Sequence, residues 1–186
     1  MAGLKDLGWC NRLEVIEERD MQADAVVLIG MPGAGKSTIG ILLAKELGLD
    51  FIDTDVSIQV REGQTLQNIT DQQGYLALRS IEEQVLLAEG IHGKVVSTGG
   101  SAVYSEAGMA HLKQNSMVVF LDVPLAELEQ RISNFSTRGI ARRPDQNFKD
   151  LFEERSVLYK RYADIRIDCS NLQIDEVLQK TCSALL

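Results

Sequence analysis

The sequence predicts an α/β fold, a five-stranded parallel sheet with helices on both faces. It spans residues 25–186 as one domain, and residues 1–24 form an extension ahead of it. Three features lead there. Short apolar runs alternate with longer stretches of helical periodicity, the order that builds strand–helix–strand crossovers. The first run, AVVLIG (25–30), is continuously apolar rather than alternating, as a strand buried on both faces requires. No internal repeat or low-complexity tract interrupts the pattern, and 186 residues are enough for one sizeable core.

The elements follow in order. In residues 1–24, Leu13, Val15 and Ile16 lie among charges and read as part of a loosely packed appendage. After the first strand, GKSTIGILLAKELG (35–48) shows helical periodicity and stops at Gly48. FID (51–53) is a short second strand, and helical stretches punctuated by Gly63 and Gly74 run to about Gly90. KVVST (94–98) and MVVFLDV (117–123) are the next two strands. PLAELEQRI (124–132) opens on Pro124, expected at the first helical position, where a missing N–H costs nothing. NFSTRGIARRPDQN (134–147) is polar, basic and interrupted by Gly and Pro, so it reads as a mobile loop. LFEERSVLYKRYA (151–163) is a helix, DIRID (164–168) the fifth strand, and a closing helix follows.

Composition narrows the function. Nineteen Lys and Arg against 27 Asp and Glu leave a formal charge of −8, the wrong sign for a nucleic-acid partner. Three cysteines, Cys10, Cys169 and Cys182, share no C-x-x-C spacing, so neither a disulfide framework nor a zinc site is expected. No apolar run approaches the ~18 residues of a membrane span, and the first twenty residues lack a signal-peptide core. The expectation is a cytoplasmic protein with no membrane or nucleic-acid partner.

Gly30-Met-Pro-Gly-Ala-Gly35-Lys36-Ser37 matches the phosphate-binding pattern G-x-x-x-x-G-K-[ST], set between a strand and a helix as the chemistry demands. Gly33, Ala34 and Gly35 can wrap backbone N–H groups around phosphate oxygens, and the following helix adds its positive dipole end. Lys36 supplies charge to the β- and γ-phosphates, Ser37 offers a hydroxyl to Mg²⁺, and the adjoining Thr38 completes the ATP-binding stretch. On the acceptor side, Asp53 and Asp55 lie where the second strand ends, at the ligand edge of a parallel sheet. Asp53 is assigned to the Mg²⁺ shell and Asp55 to the acceptor hydroxyl, the plainer alternative being a helix N-cap. Arg79, taken alone, reads as a solvated residue within helical reach of Glu82 and Glu83. Gly99-Gly100 would let a substrate approach the backbone, the alternative being a plain tight turn.

Read together, these residues resemble the shikimate kinase family over nearly all of residues 25–186. GMPGAGKSTIG is similar to its nucleotide loop, FIDTDVSI to its D-x-D segment, and RSIEE to the helix that follows. STGGSAV is similar to its S-x-G-G-G-A-V turn, and Arg155 in EERSVLYKRYAD precedes the family's L-Y pair. The resemblance implies a P-loop kinase fold with a mobile lid, using ATP and Mg²⁺ as a cytosolic monomer in aromatic amino-acid biosynthesis. It implies that Asp55, Arg79, Gly99, Gly100 and Arg155 hold shikimate, a small hydroxylated carboxylic acid, with both arginines on its carboxylate. Arg131 would lie beside adenine and Arg138 on the lid over the phosphates, with Arg142 and Arg143 as rival lid arginines. Catalysis would then fall to Lys36, Asp55 and Arg138. The departures cluster at the acceptor pocket. Ser101 replaces the third turn glycine, the lid reads RGIA for R-P-L-L, and Gln59 replaces a Glu. Tyr75 replaces an acid, and Thr70 and Leu78 replace phenylalanines. The alternatives are a kinase of another hydroxy acid or polyol, gluconate being one type, and a non-catalytic nucleotide-dependent switch.

Overall fold

The computed structural model describes residues 24–132 and 139–185. The expected extension therefore lies outside the described residues except for Asp24, and so does Cys10. Strands β1 (Ala25–Ile29), β2 (Asp50–Asp53), β3 (Lys94–Ser97), β4 (Ser116–Asp122) and β5 (Ile165–Asp168) form a single sheet in the order β2-β3-β1-β4-β5. Every pairing is parallel, with Val27 opposite Val96 on one side and Val118 on the other. All five residues of β1 are buried, so both faces of the sheet are covered, as the unbroken apolar run predicts.

The strands are joined by α1 (Lys36–Leu47), α2 (Thr54–Glu62), α3 (Leu66–Gln73), α4 (Tyr75–Ala88), α5 (Glu106–Lys113), α6 (Leu125–Arg131) and α7 (Phe148–Tyr162), and α8 (Ile174–Leu185) follows β5. The main core joins β1, β3 and β4 to Ile39 and Leu43 of α1, Leu86 of α4 and Tyr159 of α7. A smaller cluster of Ile58, Ile69, Leu78, Val85 and Ala141 holds α2, α3 and α4 together beside the sheet edge. No helix among the described residues is long and apolar enough to cross a membrane.

Three local features differ from expectation. Between β3 and β4 the chain makes a 3₁₀ turn, Ala102–Tyr104, and then α5. Ser105 caps α5 by accepting from Gly108 N at 2.8 Å, and a parallel sheet needs such a crossover between these strands. Pro124 stands at the N-cap of α6 with ψ 145°, one position earlier than expected, and the helix begins at Leu125. Helix α7 begins at Phe148 rather than Leu151. Asn147 Oδ1 accepts from Asp150 N while Asp150 Oδ2 accepts from Asn147 N, a reciprocal pair that starts the helix three residues sooner.

Because β1 has β3 on one side and β4 on the other, the connections diverge there, opening a crevice at the carboxyl ends of the strands. The phosphate loop after β1, Asp53–Asp55 after β2 and Gly99–Gly100 after β3 all come to this edge.

Candidate active site

The phosphate loop turns out of β1 and re-enters as α1. Gly35 stands at the helix N-cap with φ 91°, a left-handed conformation that favours glycine. A Cβ there would meet nothing within 4 Å, so it is the backbone angle and not crowding that requires glycine. Lys36 is buried, and its Nζ donates to the carbonyls of Gly30 at 2.8 Å and Met31 at 3.0 Å, keeping the ammonium at the mouth of its own loop. Ser37 Oγ donates to Asp53 Oδ2 at 2.5 Å, and Asp53 Oδ1 accepts from Asp55 N at 3.0 Å. Asp53 is thus both the N-cap of α2 and the partner of the loop serine. A cleft of about 400 Å³ follows, lined by Lys36, Ser37, Asp55, Glu82, Gly100 and Arg155 among others. A second cavity of about 600 Å³ opens behind the loop at Ala34, Thr38, Asn171 and Gln173, and Arg131 borders both.

The opposite wall is assembled from distant segments. A Cβ added at Gly99 would collide with the Glu82 carboxylate and come within 2.6 Å of Asp55 Oδ1. One added at Gly100 would meet Arg155 Nη1 and Pro32 Cδ, each at 2.9 Å. The turn is therefore glycine because charged side chains press on it. Thr54 Oγ1 accepts from Gly99 N at 2.9 Å and Tyr159 donates to the Gly100 carbonyl at 2.6 Å, fixing the turn from two sides.

Arg155 is 1% exposed, and its Nη2 donates to the Ala141 carbonyl at 2.8 Å. Arg79 Nη2 reaches the same carbonyl at 3.4 Å. The Nε of each arginine is buried with no hydrogen-bond partner among the described residues. Arg79 is not the solvated member of a helical charge pair. Glu82 instead accepts from Ser101 Oγ at 2.5 Å and Glu83 from Ser105 Oγ at 2.5 Å. The Arg79 guanidinium lies 3.5 Å from the Tyr104 ring centroid and 5.2 Å from that of Tyr75. Burial pulls its pKa below the ordinary arginine value; the charge of the Tyr104 phenol group opposes this and the Arg155 charge adds to it. Neither Arg79 nor Gly99 lines the cleft itself; each is next in the chain to a residue that does, Leu78 and Gly100.

Sequence reasoning missed Glu82, which is buried between Gly99 and Ser101. Burial, then the neighbouring Asp55 charge, raises its carboxyl to about 7. The departures from the family pattern take definite places. Ser101 becomes the hydrogen-bond donor to Glu82, Leu78 lines the cleft, and Thr70 turns its hydroxyl back to the Leu66 carbonyl at 2.9 Å. Of the basic residues after α6, Arg138 lies outside the described residues. Arg142 Nη1 donates to the Gln146 carbonyl at 2.9 Å, and Arg143 pairs with Glu154 at 2.9 Å. Gly139, Ile140 and Ala141 close one side of the cleft.

The chain is similar to known proteins over most of its length. The family model described as shikimate kinase matches residues 32–186. The shikimate kinase of Mycobacterium avium is 39% identical over 166 residues, covering 88% of this chain and 94% of that protein. The shikimate kinase of Acinetobacter baumannii, solved in complex with shikimate, superposes with a TM-score of 0.79 at 29% identity over 89% of this chain and 94% of that one. That of Aquifex aeolicus gives 0.73 at 33% identity over 86% and 95%. With this cleft and these similarities, the chain belongs to the shikimate kinase family and is an ATP-dependent small-molecule kinase.

Proposed function

We infer that the protein transfers the γ-phosphoryl group of ATP to the 3-hydroxyl of shikimate, giving shikimate 3-phosphate and ADP. The observation that carries this reading is the meeting of a phosphate cradle with the buried Arg155 guanidinium, which shares one carbonyl with the half-buried Arg79. Two like charges with unsatisfied Nε–H groups are costly in a buried wall, and an acceptor carboxylate relieves that cost.

The roles follow from position. Gly33, Ala34, Gly35 and Thr38 cradle the phosphates, and the cavity behind them, bordered by Arg131, takes the base. Lys36 exchanges the Gly30 and Met31 carbonyls for β- and γ-phosphate oxygens. Ser37 and Asp53 are adjacent oxygen donors of the kind a hard cation takes, and they would hold Mg²⁺. Bound there, the ion would supply charge neutralisation to the transferring phosphates. Arg79 and Arg155 hold the acceptor carboxylate, Gly99 and Gly100 let the ring approach, and Asp55 orients the attacking hydroxyl and receives its proton. The hydroxyl oxygen bonds to the γ-phosphorus as the bond to the β–γ bridging oxygen breaks, so ADP leaves in line. Arg138, assigned by family resemblance, adds positive charge over the phosphates, a role for which Arg143 is already engaged by Glu154.

A cytosolic monomer fits the free thiol of Cys169 and the scatter of exposed Ile41, Val56, Leu76, Val157 and Ile174 over five helices.

An ADP-release assay with shikimate, quinate, gluconate and homoserine tests the reading. Shikimate is expected to have the highest kcat/KM. Another acid ahead by more than about 1.4 kcal/mol, a factor of ten, would make that acid the acceptor. ADP release indifferent to any acceptor would point to a nucleotide-dependent switch.

A further inference from the structure

We propose that Tyr104 is a positioning residue for the acceptor, acting through Arg79. The proposal rests on the reading that Arg79 grips the acceptor carboxylate. Tyr104 ends the 3₁₀ turn that follows the glycine pair, and its ring centroid lies 3.5 Å from the Arg79 guanidinium carbon. At that distance the ring covers a face of the planar cation, while the N–H groups point outward in the guanidinium plane.

Little else fixes that plane. The contact with Ala141 is long at 3.4 Å, and no carboxylate among the described residues forms an ion pair with Arg79. Glu82 and Glu83, the acids next to it on α4, are engaged by Ser101 and Ser105. Tyr75 is farther away, at 5.2 Å.

Tyr104 is itself well anchored. Its hydroxyl donates to Glu154 Oε1 at 2.5 Å, and the other oxygen of Glu154 receives Gln146 Nε2 at 2.8 Å and Arg143 Nη1 at 2.9 Å. Burial would raise the Glu154 carboxyl, but these donors outweigh it and hold the group ionised, below its usual range. Glu154 precedes Arg155 on α7. Both arginines are therefore referenced to one helix, Arg155 directly and Arg79 through the Tyr104–Glu154 bond. A two-pronged grip on a carboxylate needs its donors held to within about 10–20°. The tyrosine supplies that constraint to the prong on α4.

Steady-state kinetics on four variants test this: Tyr104→Met, Tyr104→Phe, Arg79→Gln and the Tyr104→Met/Arg79→Gln double variant. Tyr104→Met keeps a long apolar side chain but removes the ring and the hydroxyl, and it is expected to raise the shikimate KM about 3- to 30-fold, leaving ATP KM and kcat within about twofold. Tyr104→Phe keeps the ring face but loses the bond to Glu154, so it is expected to raise the shikimate KM about 2- to 5-fold, less than Tyr104→Met does. In the Arg79→Gln background, Tyr104→Met should add less than it costs in the parent, because the nearer cation is already gone and the Arg155 guanidinium lies farther off, 5.4 Å from the ring centroid. An unchanged or lowered shikimate KM in Tyr104→Met overturns the proposal, and so does an equal rise in both KM values. If Tyr104→Met loses its cooperative thermal transition, Tyr104→Phe decides alone: a raised shikimate KM beside an unchanged ATP KM supports the proposal, and a parental shikimate KM overturns it. Should Arg79→Gln itself leave the shikimate KM unchanged, the carboxylate reading of Arg79 falls and the proposal falls with it. A raised KM in Arg79→Gln beside an unchanged one in Tyr104→Met removes only the proposal.

Discussion

Eight consecutive residues, Gly30 to Ser37, make the phosphate cradle, whereas the acceptor wall draws on four separate places. Asp55 comes from α2, Arg79 and Glu82 from α4, Gly99 and Gly100 from the turn after β3, and Arg155 from α7. The two sides also treat their cations differently. Lys36 is satisfied by carbonyls of its own loop, five and six residues away. Arg79 and Arg155 converge on Ala141, which is 62 and 14 residues away, and each keeps a buried Nε without a partner among the described residues. A phosphate site can be carried by local backbone geometry because every nucleotide presents the same oxygens. An acceptor site must match one shape, and tertiary packing alone places its groups.

The comparison can be broken from either side. Lys36→Ala is expected to lower kcat by about 10³-fold, since it removes charge stabilisation from the transferring group, with the thermal transition near that of the parent. Near-parental turnover at saturating ATP would take Lys36 out of the mechanism.

Glu82 lies at the seam and gives the next largest effect, on stability. Its carboxyl is raised from 4.5 to about 7 in the folded protein, so the native state keeps a proton that the unfolded chain releases. Stability from this group is greatest below about pH 4.5 and falls as pH rises to 7, by on the order of 3 kcal/mol. Urea unfolding at pH 5, 6, 7 and 8 should show this decline relative to Glu82→Gln, and parallel curves for the two proteins would contradict it.

Arg138→Ala is expected to cost about 10²-fold in kcat, the scale of one lost charge-stabilising donor. Arg143→Ala should cost far less, because Arg143 serves Glu154. Equal or reversed losses would move the phosphate role to Arg143.

The smallest effect is the most selective. Arg79→Lys and Arg155→Lys keep the charge but lose the planar fork, so acceptor affinity should fall by about 1.5–3 kcal/mol while ATP affinity stays put. Calorimetric titration of both ligands into each variant measures the split, and a weakened ATP isotherm beside an unchanged acceptor isotherm would invert the two sides.

The same contrast explains what was legible in the sequence. The strands and the cradle could be read because apolar runs and G-x-x-x-x-G-K-S are contiguous patterns. Asp53 and Asp55 could be placed because strand ends in a parallel sheet share an edge. Helix α5 was missed, although Ser105 as cap and Met109 and Leu112 as buried members carry the signal. Arg79 reads as a surface residue because Glu82 and Glu83 stand at helical spacing from it. Ser101 and Ser105, about twenty residues on, take both acids, and no local pattern announces that. Tyr104 and Glu154 are 50 residues apart and meet only through packing. Neither carries a motif.

The central claim is that the acceptor wall selects a carboxylate. Shikimate and its methyl ester share every ring hydroxyl and differ in one negative charge, so their kcat/KM ratio tests the claim most directly. The wall predicts that the ester is poorer by about 10²-fold or more, because the buried Arg155 and the half-buried Arg79 are left without a counter-charge when it binds. An ester as good as the acid would mean that Arg79 and Arg155 do not hold the acceptor.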